Sequence, residues 1–137
     1  MVDKEIVIRH LKEIEDNLRI LIEFRRFSLK ELHDKKKAWM VEHGLQVTIQ
    51  NVIDVSTHIL ASLAVNEIET YQEVMLWLGK KKIVPEKFAK RLSKMTGFRN
   101  ILVHEYLTVD IKKVWNVLRK NLSDFHKFCK YVYRYVK

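Results

Sequence analysis

A chain of 137 residues with 47% hydrophobic side chains fits one domain, and a domain of this size hides roughly two thirds of its unfolded surface without disulfides or metals. The single cysteine, Cys129, excludes a disulfide framework, fits a reducing compartment and reads as a buried structural thiol. The opening MVDKEIVIRHLKEIED is charged from its third residue and carries no long apolar run, which excludes a secretory signal or membrane span there and makes the cytoplasm the expected location.

The net charge of +9 is unevenly distributed. Residues 1–79 hold 10 basic and 13 acidic side chains, whereas residues 80–137 hold 16 basic and 4 acidic ones, a balance of +12. Such a polycation suits a phosphate-bearing partner, because lysine and arginine gain affinity by releasing counterions, although a solvated lysine-rich helix surface fits equally.

No linker, repeat or low-complexity tract divides the chain, and helix formers dominate. The first helix is predicted from about Asp3 to Arg26, with Ile6, His10, Ile14, Leu18, Leu21 and Ile22 facing the core. Ser28-Leu-Lys-Glu31 is a capping box that predicts the start of a second helix. Its stripe of Trp39, Leu45, Ile49, Val52, Ser56, Ile59 and Leu63 carries it to about Val65, a length of ~50 Å, with Gly44 as a candidate bend. Thr70-Tyr-Gln-Glu73 is a second capping box, opening a short helix through Val74, Trp77 and Leu78 that ends at Gly79 or in the Lys80 to Lys82 run, usually a solvated helix end. Pro85 suits the first turn of a fourth helix with Phe88, Leu92 and Met95 inward, and Gly97 marks either its end or a bend. Asp110 caps the last helix, whose Val114, Leu118, Leu122, Phe125, Cys129, Val132 and Val136 keep an unbroken spacing. The reading is all-α: five helices, no strand, one domain over residues 1–137.

Chemistry concentrates in Gly97-Phe-Arg-Asn-Ile-Leu-Val-His-Glu-Tyr106, which sets a fixed cation, an amide, an imidazole and a phenol close together. RNA carries its own nucleophile, the 2′-hydroxyl, so cleavage needs a proton acceptor, a proton donor and charge stabilisation at phosphorus, with no metal or cofactor. His104 suits the proton transfers, and Arg99 forks onto two phosphate oxygens. On one straight helix Arg99 points about 140° away from His104, whereas Asn100 shares the histidine's face. Either the helix distorts within the segment or two subunits complete the site, and the second is the favoured reading because a two-fold interface doubles both groups in one groove.

The spacing Arg99, four residues, His104, one residue, Tyr106, with Asn100 after the arginine, resembles the HEPN superfamily in its HepT-like branch. The similarity extends to a long second helix with Asp54 and His58 one turn apart, a short tryptophan-bearing helix and a proline-led helix ending in Arg-Asn. The resemblance implies a five-helix HEPN-like up-and-down bundle and a homodimeric toxin-type endoribonuclease. It also implies a cognate minimal nucleotidyltransferase antitoxin that adds AMP to the motif tyrosine, here Tyr106. AMP phosphates beside Arg99 would occupy the cation and repel an RNA backbone.

Asp54 and His58 fit a structural hydrogen-bonded pair; the sharper alternative is that Asp54 orients Arg99 across a helix interface. His10, His33, His43 and His126 lack cysteine or carboxylate partners at ligand spacing, so no metal site is expected. Phe125, Phe128, Tyr131, Tyr133 and Tyr135 read chiefly as core or dimer contacts, with base stacking as the alternative. The expected function is metal-independent RNA cleavage by Arg99 and His104, supported by Asn100 and Asp54. The alternatives are a non-catalytic HEPN module that binds nucleotides or a partner protein, and a basic nucleic-acid-binding protein without chemistry.

Overall fold

Asp3 opens the first helix, α1 (Lys4–Phe24), by accepting hydrogen bonds from the Glu5 and Ile6 backbone N–H groups at 3.0 and 3.3 Å. The computed structural model describes residues 2–137, apart from the side chain of Tyr106. Val7, Leu11, Ile14, Leu18 and Leu21 form the buried stripe of α1. Ile6 and His10 are only half-buried and Ile22 is exposed, so the inward face sits to one side of the predicted one.

The capping box after α1 forms in both directions, Glu31 N–H to Ser28 Oγ and Ser28 N–H to the Glu31 carboxylate, each at 3.1 Å. It opens only a 3₁₀ turn (Glu31–His33), because Asp34 is extended and caps the true second helix, α2 (Lys35–Ser62), through the Lys37 N–H. Its 28 residues span about 42 Å, less than expected. Ala64, at φ 62°, turns the chain back while Val65 N–H bonds Leu60 O at 3.0 Å, so the helix stops before Val65. Helix α2 runs unbroken through Gly44, where a Cβ would come 2.9 Å from Leu21 Cδ2; that glycine serves the close approach of α1 rather than a bend. Trp39 is not core as expected, being 71% exposed, because it lies off the buried line of Val41, Leu45, Ile49 and Val52.

Thr70 caps α3 (Tyr71–Lys80) through the Glu73 N–H, while the Glu73 carboxylate takes the N–H of Glu69 instead of closing the box on Thr70. Helix α3 packs directly on α4 (Glu86–His104), and at their crossing a Cβ on buried Gly79 would lie 2.9 Å from Ala89 Cβ. The turn between them places Lys82 at φ 58° and returns Ile83 N–H to Leu78 O at 2.9 Å. Pro85 is the residue before α4 rather than within its first turn, and Gly97 neither ends nor breaks that helix.

A 3₁₀ turn (Tyr106–Thr108) leads to α5 (Ile111–Lys120), capped as predicted by Asp110. The predicted last helix is two: Asn121, at φ −111° and ψ −2°, separates α5 from α6 (Leu122–Val136). The apolar spacing continues across this break, which hides it in the sequence, while Asp124 is buried and ion-paired with Arg91 at 2.6 Å. Six α-helices and no strand therefore make up the described residues, where five helices were expected. Helix α2 is the hub, touching α1, α3, α4 and α5, and α6 closes against α1 with Phe125 and Phe128 fully buried. No helix among the described residues is long and apolar enough to cross a membrane.

Candidate functional site

The last two turns of α4 carry Arg99, Asn100 and His104 of the motif, on a helix packed against α2 and α3. Because the helix is regular through His104, Arg99 and His104 project about 140° apart. Arg99 is half-buried on the side of α2 and α3, whereas His104 is exposed at the helix C-terminus. The two groups therefore stand on different faces of the protomer. The side chain of Tyr106 lies outside the described residues.

Arg99 is held by three neighbours. Its Nε donates to Gln50 Oε1 at 3.0 Å, its Nη1 donates to Asn100 Oδ1 at 3.2 Å, and its guanidinium carbon lies 5.1 Å from the centroid of the Tyr71 ring. Gln50 in turn donates through Nε2 to Asp54 Oδ1 at 2.8 Å, so the carboxylate reaches the arginine through one amide. Only one orientation of that amide satisfies both contacts, since a guanidinium only donates and a carboxylate only accepts. None of the ion pairs among the described residues includes Arg99. Neutral oxygens thus orient the cation and leave its charge available for an anion.

Asp54 and His58 do not form the expected pair. Asp54 is exposed and turned to Gln50, while His58 Nε2 accepts from the Asp3 backbone N–H at 3.4 Å. The physical reason is competition one turn away: Gln50 precedes Asp54 by four residues and offers an amide donor. Gln50 and Tyr71 went unrecognised in the sequence, although Gln50 shares the i, i+4 spacing that drew attention to His58.

Two grooves flank the motif. One, of about 1080 Å³, lies between the first half of α2 and the segment after α4, lined by Lys35, Trp39, His43, Gln46, Val103 and Leu107. Leu107 and Trp39 are 84% and 71% exposed there. Its glutamate, Glu42, has its carboxyl held above the usual range by partial burial. The other, about 570 Å³, lies between α4 and α5, with Met95, Phe98 and Ile101 flanked by Arg91, Lys94 and Lys113. Of the remaining aromatics, Phe125 and Phe128 are core, Tyr131 packs on Phe88 at 5.4 Å, and Tyr135 is exposed. The Cys129 thiol is pushed up to about 12, first by burial and then by Glu15, as suits an inert core residue.

Comparison with known proteins agrees with the sequence resemblance. The chain is 29% identical over 136 residues to the tRNA nuclease HepT of Aphanizomenon flos-aquae (strain 2012/KM1/D3), covering 98% of this chain and 92% of that protein. It is 27% identical over 85 residues to the mRNA nuclease HepT of Shewanella oneidensis, which covers 62% of this chain and 64% of that one. Among solved structures, the tri-AMPylated Shewanella oneidensis HEPN toxin in complex with its MNT antitoxin superimposes with a TM-score of 0.84 at 22% identity, over 98% of this chain and 99% of that chain. The model of the family described as "Ribonuclease HepT-like" matches residues 2–132. With the arginine, asparagine and histidine of the motif arranged on α4 as described, the chain belongs to the HepT-like ribonuclease family.

Proposed function

We propose that this protein is the toxin of a toxin–antitoxin pair, an endoribonuclease that cuts RNA by attack of the internal 2′-hydroxyl without a catalytic metal. Arg99 binds the scissile phosphate and stabilises its extra negative charge; His104 transfers the proton as general acid or base; Asn100 and Asp54 support the arginine. The observation that carries this reading is an oriented arginine with no carboxylate ion partner, five residues before an exposed histidine on a helix of this family.

The working form is a homodimer. One protomer presents Arg99 and His104 on different faces of α4, so a second copy is needed to bring an imidazole toward a guanidinium. The exposed Trp39 and Leu107 beside the motif supply an apolar surface that such a copy would cover. RNA approaches along the basic rim of Lys94 and Lys113, where it gains affinity by counterion release. The tri-AMPylated Shewanella HEPN toxin in complex with its MNT antitoxin supports an AMP-adding antitoxin as the partner, and the motif resemblance makes that partner a minimal nucleotidyltransferase and Tyr106 the modified residue.

The test is cleavage of a synthetic RNA in EDTA. Wild type should leave 2′,3′-cyclic phosphate or 3′-phosphate ends and spare DNA and 2′-O-methyl RNA. His104→Ala should lose about 10²-fold or more in rate while keeping most RNA affinity. A purified His104→Ala protein with full activity removes the histidine from the mechanism, and a wild-type protein that binds RNA without cutting it returns the chain to a non-catalytic module that binds nucleotides or a partner.

A further inference from the structure

Building on that reading, we propose that Gln50, backed by Asp54, and the ring of Tyr71 are positioning residues that present the Arg99 guanidinium to the phosphate end-on and without neutralising it. A guanidinium can grip a phosphate through its Nε and Nη2 edge or through its two terminal nitrogens. Here the Nε hydrogen is taken by Gln50 Oε1 at 3.0 Å, and one Nη1 hydrogen by Asn100 Oδ1 at 3.2 Å. The other three N–H groups, two on Nη2 and one on Nη1, have no partner among the described residues. The Nε and Nη2 edge is therefore closed, and the hydrogens left for a phosphate all lie on the two terminal nitrogens.

The two contacts act on different freedoms of the side chain. Gln50, fixed at its far end by Asp54 at 2.8 Å, stops rotation of the guanidinium in its own plane. Tyr71, with its centroid 5.1 Å from the guanidinium carbon, limits movement of the group off the ring face. Each residue comes from a different helix, α2 and α3, so the packing of the bundle sets the geometry. The amide at position 50 also serves as a spacer. A carboxylate there would touch the guanidinium directly and compete with phosphate for its charge, whereas the amide transmits the hold of Asp54 and keeps its negative charge one side chain away.

The experiment measures single-turnover cleavage and the affinity for non-cleavable 2′-O-methyl RNA in the dimeric protein. Gln50→Leu should lose about tenfold in rate, the scale of one hydrogen bond to a charged group. In an Arg99→Lys background, whose ammonium has no Nε–H to be held, the same Gln50→Leu change should cost less than about twofold, because the pair acts as one unit. Gln50→Glu should keep the acceptor yet weaken binding of the 2′-O-methyl RNA several-fold. Tyr71→Phe should keep the wild-type rate and Tyr71→Leu should lower it, with melting temperatures unchanged throughout. Equal loss from Gln50→Leu in both backgrounds, wild-type binding by Gln50→Glu, or a Tyr71→Leu rate equal to wild type overturns this inference alone. Wild-type cleavage by Arg99→Ala overturns the functional reading itself, and this inference with it.

Discussion

Replacing Gly79 by alanine tests whether the α3 and α4 crossing that aligns Tyr71 with Arg99 is as tight as its geometry states. The added Cβ would sit 2.9 Å from Ala89 Cβ and 3.4 Å from Glu86 Cα. Carbon atoms pack favourably at about 3.5–4.0 Å, so the helices must part by up to ~1 Å. Overpacking of this kind costs about 1–3 kcal/mol, while alanine returns up to about 1 kcal/mol in helix propensity. The net is a loss of about 1 kcal/mol, or a drop of roughly 3–5 °C in Tm for a domain of this length. Gly97 provides the opposite case within α4: a Cβ there meets only Gln72 Nε2 at an ordinary 3.5 Å. Gly97→Ala should therefore raise Tm by a few degrees through propensity alone. The assay is thermal and urea unfolding of both variants, with Gly79→Ala combined with Ala89→Gly to relieve the contact. A rise in Tm for Gly79→Ala, or a fall for Gly97→Ala, would refute the packing argument.

Further expectations follow from charge and burial. RNA affinity should fall steeply with salt, and the double change Lys94→Ala with Lys113→Ala should shallow the slope of log K against log salt by about 1.4, since each phosphate contact to a single strand contributes about 0.7; an unchanged slope removes the α4 and α5 cleft from the RNA path. Arg99→Lys should recover only part of the activity lost in Arg99→Ala, because an ammonium cannot reproduce the fork; equal rates for lysine and arginine would contradict it. Cys129 should resist thiol reagents at pH 8 until urea exposes it. Its thiol ionises near the ordinary 9.0 when unfolded but near 12 when folded, so its contribution to stability is intact below about pH 9 and is lost as pH rises toward 12. Urea titrations of wild type and Cys129→Ala across that range would detect the difference.

The elements with a local signal were legible in the sequence. Thr70 and Asp110 each cap the helix they announced, because a side-chain oxygen over the first turn acts within three residues. The motif on α4 was legible too, since it is short and contiguous. What escaped the sequence was set by tertiary contact or by competition between equally good local signals. Ser28 reads as the cap of the second helix, yet in the structure it opens only a 3₁₀ turn and Asp34 takes α2. The break at Asn121 leaves the apolar spacing of α5 and α6 intact, so periodicity cannot reveal it. Trp39 is set apart from the stripe it was grouped with, because its own face of α2 continues through His43, Gln46 and Gln50, and that polar stripe leads to Arg99. Tyr71 carried no signal beyond its place in a capping box, because its meeting with Arg99 depends on how α3 crosses α4.

Mixing two inactive variants tests the shared site most directly. Arg99→Ala and His104→Ala proteins are co-expressed, or mixed and allowed to exchange subunits, and assayed for RNA cleavage in EDTA. If the arginine of one protomer works with the histidine of its partner, each heterodimer regains one intact site. A statistical mixture should then recover about a quarter of wild-type activity, because half of the dimers are mixed and each carries one of two sites. Activity no higher than that of either variant alone, with heterodimers shown to form, would contradict the account.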